Sequence, residues 1–352
     1  MNVLILGASY GSLLSTKLLM AGHHVTLMCL QKEADLINRT GTEVRLKLRN
    51  EESHRSIRSN ELPGSLDAVT PAAADLSRYD MVGLAMQEPQ YAAPEVSDVL
   101  IQIAKAGLPC LSIMNMPPLA YLRRIPALAA MDLSHCYRDA SVWDHFDPAN
   151  ITLCSPDPQA FRPPEEELNV LHVGLPTNFK AAQFEHDKHQ MLLNTLCDDI
   201  AAVRLDNQEV PVKLRTHNSL YVPMAKWSML LTGNYRCITD DGVRPIKEAV
   251  HSDKNLSTEI YSFVDQLVQK IGGDAQDAVP FAKYANASES LLKPSSAARA
   301  IDAGAVNIER VDKLVQTIGK ALGMQHDVVD QIVTTVDRRL QTNLERQSAE
   351  PA

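Results

Sequence analysis

The sequence opens with Met1-Asn-Val-Leu-Ile-Leu6, and Gly7-Ala-Ser-Tyr-Gly-Ser12 follows directly. The first stretch is a short apolar run with one polar interruption, which is typical of a buried parallel strand. After the small-residue turn, a helical pattern of leucines runs to Gly22, and a second strand is indicated over residues 24–30. A strand, a turn, a helix and a strand within about thirty residues predict the β-α-β unit that opens a dinucleotide-binding domain.

The turn itself predicts the cofactor contacts. In such a unit a pyrophosphate rests on the free N–H groups at the helix start, where the helix dipole favours negative charge. The usual G-x-G-x-x-G spacing is only partly kept, because serines occupy its second and third positions. Serine is small enough for both, so we expect contacts from Gly7, Ala8, Ser9, Tyr10, Gly11 and Ser12. The alternative is an ordinary β-α-β opening that binds no ligand.

The composition sets the class of protein. The chain has 352 residues, 45% of them hydrophobic and 22% charged, which is enough for two soluble domains. A net charge of -9 argues against nucleic acid or an anionic membrane as the main partner. The six cysteines show no C-x-x-C spacing, so neither a disulfide framework nor a metal site is expected. The first strand begins at once and no apolar run could span a membrane, so we expect a cytoplasmic protein without a leader.

The end of the second strand bears on the choice of nicotinamide cofactor. An acidic residue there would bind the ribose 2′-hydroxyl of NAD, and a basic residue would suit the 2′-phosphate of NADP. The strand runs into Cys29-Leu-Gln-Lys32, with no acidic residue before Glu33. Lys32 therefore favours NADP, although NAD is not excluded and a solvated surface lysine is the alternative.

The next two hundred residues indicate more strands and two helices. Further strands are predicted at 42–49, 80–86, 109–114, 134–142, 150–154 and 169–173, and helices at 94–106 and 187–201. The first of these strands alternates apolar and charged residues and is expected at an edge. We take the last three as the far strands of one sheet. In an open parallel sheet the carboxyl ends of strands line the ligand crevice, which predicts cofactor contacts from Gln87, Gln90 and Asn115.

Helical patterns dominate the rest of the chain. They cover roughly 211–235, 243–271, 276–291, 295–302 and 305–341. We therefore predict an α/β fold, with an N-terminal Rossmann-like doubly wound sheet (1–205), an all-α C-terminal domain (206–345) and a frayed tail (346–352). Several dehydrogenase families have this plan, with the active site between the two halves.

The predicted final helix carries an apolar stripe. The stripe consists of Ile308, Val311, Leu314, Val315, Ile318 and Leu322. Core packing is its simplest interpretation. A homodimer through the helical domain is a further hypothesis.

The stretch that opens the helical half offers candidates for catalysis. Lys213 and His217 are four residues apart and would share a helical face, with Asn218 beside them. A reductase needs a proton donor for the oxygen or nitrogen that receives charge as hydride arrives. Histidine suits that role near neutral pH, and lysine suits a carboxylate or carbonyl oxygen. The alternative is that both are surface residues of a first helical turn.

This arrangement resembles the ketopantoate reductase family, in which a helical domain bearing the catalytic lysine follows a Rossmann domain. The family pattern D-x-x-x-x-x-x-K-L-x-x-N is similar to Asp206-Asn-Gln-Glu-Val-Pro-Val-Lys-Leu-Arg-Thr-His217. The resemblance implies that Lys213 is the catalytic lysine, with His217 in place of the family's asparagine. Asn115 matches another asparagine, Gln87 stands where a cofactor-contacting lysine is usual, and Gln90 matches a glutamine.

A second stretch near the C-terminus extends the resemblance. The family pattern P-S-S-M…G-R-x-T-E-I-D is similar to Pro294-Ser-Ser-Ala297, with Asn307 where the glutamate is expected. The resemblance implies substrate binding by Asn115, Asn218, Ser295, Ser296 and Asn307. The implied activity is NADP-dependent reduction of a small 2-oxo acid.

A related resemblance leaves the substrate open. His217-Asn-Ser-Leu220 is similar to the H-T-S-L stretch of opine dehydrogenases, which reduce an imine formed from a 2-oxo acid and an amino acid. In that case His217 would be the acid and an amino acid would be a co-substrate. A third hypothesis is a non-catalytic dinucleotide sensor, because several motif positions are altered.

Overall fold

The computed structural model describes residues 1–48 and 51–349 of the chain. They form two compact units: the first comprises 1–86, 90–124 and 141–223, and the second comprises 87–89, 125–140 and the chain from 224 onward. The strands are β1 Asn2–Leu6, β2 His24–Met28, β3 Glu43–Leu46, β4 Arg55–Arg58, β5 Ser65–Val69, β6 Met81–Leu84, β7 Cys110–Ile113, β8 Ile151–Ser155, β9 Gln159–Phe161, β10 Val170–Leu175, β11 Phe179–Ala182, β12 Arg204–Leu205, β13 Gln208–Glu209 and β14 Leu214–His217. The helices are α1 Ala8–Met20, α2 Gln31–Thr40, α3 Pro94–Lys105, α4 Leu119–Leu122, α5 Asp187–Ala202, α6 Lys226–Met229, α7 Ile246–His251, α8 Lys254–Lys270, α9 Phe281–Ser288, α10 Ser296–Asp302, α11 Val311–Ala321 and α12 Asp327–Ala349.

The main sheet of the first unit has eight strands in the order β14-β11-β8-β7-β6-β1-β2-β5. From β1 the chain goes outward to β2 and β5, returns to β6, and then proceeds to β7 and β8 on the other side. This reversal is the doubly wound order of a Rossmann-like fold. The six strands from β8 to β5 are mutually parallel, whereas β11 is antiparallel to β8. The predicted fold class is confirmed.

A second sheet covers the other side of α1. It has the order β4-β3-β10-β9 and is built from two distant stretches of chain. Helix α1 contacts β1 and β2 of the main sheet and β3, β9 and β10 of the small one. Eleven of its thirteen residues are buried, as expected for a helix that is covered on more than one side. The prediction that residues 169–173 extend the main sheet is therefore wrong, because β10 belongs to the small sheet.

Two further predictions of local structure are wrong. Residues 134–142 form 3₁₀ turns at Ser134–Cys136 and Ala140–His145 rather than a strand. The Asp132 carboxylate accepts the Ser134 N–H at 3.0 Å, and such local bonds compete with a strand ladder. The predicted helix over 211–235 is also wrong at its start, since residues 214–217 form β14 and pair in parallel with β11.

The first compact unit consequently continues to Pro223, beyond the predicted boundary at residue 205. The division of the chain into a cofactor half and a substrate half stays a prediction. Of the predicted frayed tail, residues 346–349 continue α12, and residues 350–352 lie outside the described chain. The predicted strand at 42–49 is observed as β3, and Arg49 also lies outside the described residues. Its expected position at an edge is wrong, because β3 pairs with β4 on one side and with β10 on the other.

The described part of the second unit is helical, as predicted, but its long helices are interrupted. The expected helix over 305–341 is divided into α11 and α12, with Gly323 at φ 69° between them. The expected helix over 243–271 is divided where the Asp253 carboxylate caps α8 by accepting the Leu256 N–H. Five residues of the apolar stripe, Ile308, Val311, Leu314, Val315 and Ile318, are buried, which confirms their role in the core. None of the helices among residues 1–48 and 51–349 is long and apolar enough to cross a membrane.

Candidate active site

The turn between β1 and α1 is a single residue, Gly7. Its φ of 100° favours glycine, and a Cβ atom there would lie 2.6 Å from the Met86 Cγ and 2.8 Å from the Ala85 carbonyl oxygen. The Gly7 N–H donates to the Met28 carbonyl at 2.9 Å. The start of α1 is thereby held at the carboxyl ends of β1 and β6, where the strand order reverses.

Of the other residues of the turn motif, Gly11 and Ser12 are buried in the packing of α1, whereas Ser9 is exposed. A Cβ at Gly11 would lie 2.6 Å from the Ile5 Cγ2, so Gly11 provides the close approach of helix to strand. Ser12 is buried and its hydroxyl donates to the Ala8 carbonyl, so its side chain faces the helix interior. Ser9 is exposed on the first turn of α1.

Tyr10 is anchored away from the helix start. Its hydroxyl donates to the Pro158 carbonyl at 2.6 Å, and its ring meets the Phe179 ring edge-on. Burial raises the pKa of Tyr10, and the nearby Cys154 and Asp157 raise this pKa further. Its side chain therefore fixes the loop after β8, and a cofactor contact from Tyr10 would come from its backbone.

The start of α1 fits a phosphate group. Its first turn has no acidic side chain and no capping side chain, which leaves backbone N–H groups free to donate. Gly7 removes the side chain that would crowd this point. A dinucleotide held here would place its pyrophosphate over the Ala8 and Ser9 amides, at the switch point of the sheet.

The residues after β2 are mixed in charge. Leu30 is 77% exposed and Lys32 is also exposed, whereas Glu33 is paired with Arg162. A groove of about 1080 Å³ begins here, and its lining consists of Gln31, Lys32, Asp35, Leu36, Arg39, Pro164, Glu165, Glu166, Glu167, Leu168 and Val170. Four acidic side chains against two basic ones make this groove a poor environment for a 2′-phosphate.

The polar residues predicted beside the cofactor follow β6 and β7. Gln87 and Gln90 are exposed beyond the end of β6, and Asn115 is half-buried two residues after β7. Asn115 lies at the carboxyl edge of the parallel strands, as the sequence predicts. Its role toward a ligand stays a prediction.

His217 lies on the edge strand of the main sheet and Lys213 lies directly before that strand, so neither is on a helix. Lys213 precedes β14, and its backbone N–H donates to the Asn178 Oδ1 at 2.9 Å. Its Nζ pairs with Glu209 at 3.0 Å. Three strand spacings, about 14 Å, separate β14 from β7, and five, about 24 Å, separate it from β1. His217 is half-buried and Asn218 is exposed at the end of the strand.

The segment before Lys213 is tied to α1. Val212 has φ 65°, a left-handed conformation that a β-branched residue rarely adopts. The preceding carbonyl, that of Pro211, accepts a hydrogen bond of 2.8 Å from the Nζ of Lys17, which is fully buried. Burial, and then the charge of Lys213, lower the pKa of Lys17 to about 7.

The residues predicted in the helical half have different surroundings. Ser295 is buried and caps α10: its Oγ accepts the Ala298 N–H at 3.1 Å and donates to the Asn234 carbonyl at 2.8 Å. Its hydroxyl thus has a structural role. Ser296 and Asn307 are exposed. Substrate binding by these residues stays a prediction.

Lys226 is not among the site residues that the sequence predicts. It is half-buried and is the first residue of α6, the helix with which the main part of the second unit begins. A π-helical turn, Leu230–Asn234, follows it, and such turns are frequent at functional sites. The sequence does contain a signal for a helix that starts near Lys226: Pro223 lies three residues before it, and a proline often stands at a helix start. The β-branched residues before this proline, Val210, Val212 and Val222, favour strand instead.

Comparison with known proteins identifies the fold. No family model and no curated protein matches the chain. Solved structures do match. A 2-dehydropantoate 2-reductase from Methylococcus capsulatus has a TM-score of 0.68 and 9% identity, covering 100% of this chain and 99% of that one. D-Mandelate dehydrogenase with NADH and anilino(oxo)acetate has a TM-score of 0.64 and 13% identity, covering 97% and 99%.

A third match is a dimeric ketopantoate reductase from Staphylococcus aureus, with a TM-score of 0.60 and 10% identity, covering 97% of this chain and 100% of that one. At these identities the similarity establishes a shared fold. The chain therefore has the fold of the ketopantoate reductases and of D-mandelate dehydrogenase along nearly its whole length.

Proposed function

We propose that the protein is a nicotinamide-dependent reductase of a small 2-oxo acid. The observation that carries the proposal is the start of α1, uncapped and free of acidic side chains, at the switch point between β1 and β6. When bound, the nicotinamide supplies a hydride to the carbonyl carbon of the oxo acid. Gly7 and the first amides of α1 hold the pyrophosphate, and Asn115 holds the substrate by its side-chain amide.

A proton must reach the carbonyl oxygen as hydride arrives, and a lysine is suited to give it. The resemblance assigns this role to a lysine of the helical domain. Lys226 begins the first long helical segment of the second unit, whereas Lys213 belongs to the sheet edge. We therefore assign the proton to Lys226, with Lys213 and His217 as the alternatives from the sequence.

Cofactor binding is tested by titrating NADPH and NADH, each followed by its own fluorescence. We expect Gly7→Val to weaken binding at least about tenfold, because its side chain would displace the start of α1 from β6. Gly22→Ala is the matched control, since Gly22 ends the same helix with open space around it. Equal affinity of Gly7→Val and wild type would contradict the site.

Lys32 supports NADPH and the acidic groove opposes it, so we expect both cofactors to bind.

Turnover is tested with a panel of 2-oxo acids, each alone and with mixed amino acids. We expect turnover with an acid alone, lowered at least about a hundredfold in Lys226→Met and less than about tenfold in Lys213→Met and His217→Gln. Turnover only with both partners, lost in His217→Gln, would support the opine-type reaction. Cofactor binding without turnover on any acid would support the sensor.

A homodimer is proposed by analogy with the dimeric ketopantoate reductase of similar fold. The apolar stripe on α11 is buried within its own unit and does not supply the interface. Sedimentation velocity at micromolar concentration distinguishes a dimer from a monomer, and a monomer alone would remove the proposal.

A further inference from the structure

Arg236 is a buried cation of the second unit that pairs with no acidic side chain of the described residues. It follows the π-helical turn and is only 7% exposed. Its Nη1 donates to the Ser257 Oγ at 2.8 Å and to the Thr232 carbonyl at 3.3 Å, both neutral acceptors. Within residues 1–48 and 51–349, no carboxylate forms an ion pair with it. A buried charge without a counter-charge is unfavourable, so a bound anion would stabilise Arg236 at this position.

Arg236 also retains donors that the protein does not use. A guanidinium carries five N–H donors. In the described part of the chain, its Nε and Nη2 form no hydrogen bond, and neither is sealed from solvent. Arg236 therefore has two nitrogens whose N–H groups remain able to donate to a ligand.

A second guanidinium, that of Arg244, lies against the backbone of Arg236. The backbone N–H of Arg244 donates to the Cys237 carbonyl at 2.9 Å, and its Nε donates to the Arg236 carbonyl at 2.8 Å. A bridge between Ile238 and Val243 closes the loop that brings the two arginines together. Arg244 is half-buried and, like Arg236, is paired with no carboxylate among the described residues. Burial, and then the charge of Arg244, lower the pKa of Arg236.

The start of α8 adds to the positive potential. Ser257, the acceptor of the Arg236 Nη1 bond, lies in the first turn of this helix, whose dipole is positive at that end. The carboxylate that acts to raise the pKa of Arg236 is that of Asp253, which is exposed and occupied as the cap of α8. Asp253 therefore offsets the dipole of α8, and in the described part of the chain no carboxylate forms an ion pair with either guanidinium.

We propose that Arg236, Arg244 and the start of α8 form a binding site for a small phosphate-class dianion. Two guanidinium charges match two negative charges, and planar N–H pairs match the oxygen spacing of a phosphate. The buried Arg310 of the same unit shows the alternative: there two carboxylates, Asp312 and Asp337, occupy the guanidinium. The site lies within the second unit and does not depend on the proposed reductase activity.

The test is calorimetric titration of the full chain, free of cofactor, with inorganic phosphate at constant ionic strength. We expect saturable binding, weakened at least about tenfold in Arg244→Gln. Arg236→Gln should abolish it, and Arg244→Gln decides the question if the Arg236 variant does not fold. Arg338→Gln is the control, because Arg338 is an exposed arginine already paired with Asp240.

A second phosphate site at the start of α1 is distinguished by Gly7→Val. Binding that persists in Gly7→Val and falls in Arg244→Gln supports the proposal. Binding that falls in Gly7→Val and persists in Arg244→Gln belongs to the dinucleotide turn and overturns it, as does the absence of saturable binding. Malonate is the carboxylate comparison, and tighter binding of malonate than of phosphate would overturn the assignment to phosphate.

Discussion

Two buried cations, Arg310 of the second unit and Lys17 of the first, lie in opposite surroundings. In the second unit, Arg310 donates through Nε and Nη2 to both carboxylate oxygens of Asp312 at 2.9 Å, and Asp312 is fully buried. In the first unit, Lys17 is fully buried, and its Nζ donates to the backbone carbonyl of Pro211. Burial alone would lower the pKa of Arg310, but the two aspartates raise it on balance; the pKa of Lys17 falls to about 7. Pairing preserves the charge of Arg310, whereas Lys17, which has no acidic partner among the described residues, loses its proton near neutral pH.

The largest effect is expected from Asp312→Asn. This variant removes the buried counter-charge of Arg310 and leaves the half-exposed Asp337, and breaking a buried pair costs about 3–5 kcal/mol. Urea unfolding of the full chain measures the loss. Asp240→Asn, which removes an exposed pair with Arg338, is the control and should cost no more than about 1 kcal/mol. Equal losses in the two variants would show that the buried pair is no more important than a surface one.

Lys17→Met should remove a pH dependence. Lys17 has its pKa at about 7 when folded, against 10.5 for an ordinary lysine, so between these values the unfolded chain binds more protons and stability rises with pH. We expect wild type to gain about 3 kcal/mol from this residue between pH 7 and pH 9.5. Urea midpoints over this range should differ in slope between wild type and Lys17→Met. Lys270→Met, which also removes a lysine bonded to a carbonyl but an exposed one, should keep the wild-type slope.

Glu88 extends the comparison to a buried acid. It is 2% exposed and accepts the Arg138 N–H at 3.0 Å. Burial raises its pKa to about 7, with Glu309 and Asp139 acting in the same direction. The folded chain therefore holds a proton that the unfolded chain releases above pH 4.5, so stability falls as pH rises toward 7.

Glu88→Gln should abolish that fall, which we expect to be about 2 kcal/mol between pH 5 and pH 7. Thermal or urea unfolding at both pH values measures it. The exposed Glu345→Gln serves as the control. A wild-type slope in Glu88→Gln would mean that Glu88 is ionised in the folded protein across this range.

Asp337→Asn should have the smallest effect. Asp337 is the outer partner of Arg310, and its side chain is 48% exposed. Solvent-exposed partners contribute at most about 1 kcal/mol. Chemical unfolding beside Asp312→Asn checks this, and a loss as large as that of the inner aspartate would mean that both carboxylates are needed to hold the guanidinium.

The opening of the chain illustrates what the sequence can predict. An apolar run, a glycine and a leucine-rich helix place β1, Gly7 and α1 correctly, because each local preference agrees with the final fold. The motif alone did not reveal that Gly11, rather than Ser12, carries the close packing against Ile5. Which residue packs against Ile5 depends on where α1 begins. A turn longer or shorter by one residue would bring a different residue of α1 to that position.

The stretch around Lys213 illustrates what spacing leaves open. Residues four apart share a face of a helix, but in a strand they also share a face, because the strand period is two. Lys213 and His217 therefore fit both patterns, and pairing with β11 decides for the strand. The partner strand lies more than thirty residues earlier in the chain, so no local signal could have supplied it. Lys226, one turn after Pro223, was the better candidate for a lysine at a helix start.

The placement of α1 between two sheets has a consequence for synthesis on the ribosome. The small sheet is made from residues 43–58 and 159–175, so its cover over α1 is absent until about half of the chain has emerged. Until then, the outer apolar side of this nascent helix lacks its packing partner, and exposed apolar surface of this kind favours aggregation and recruits chaperones. A fragment that ends before β9 would carry the complete nucleotide-binding turn and still lack the strands that protect it.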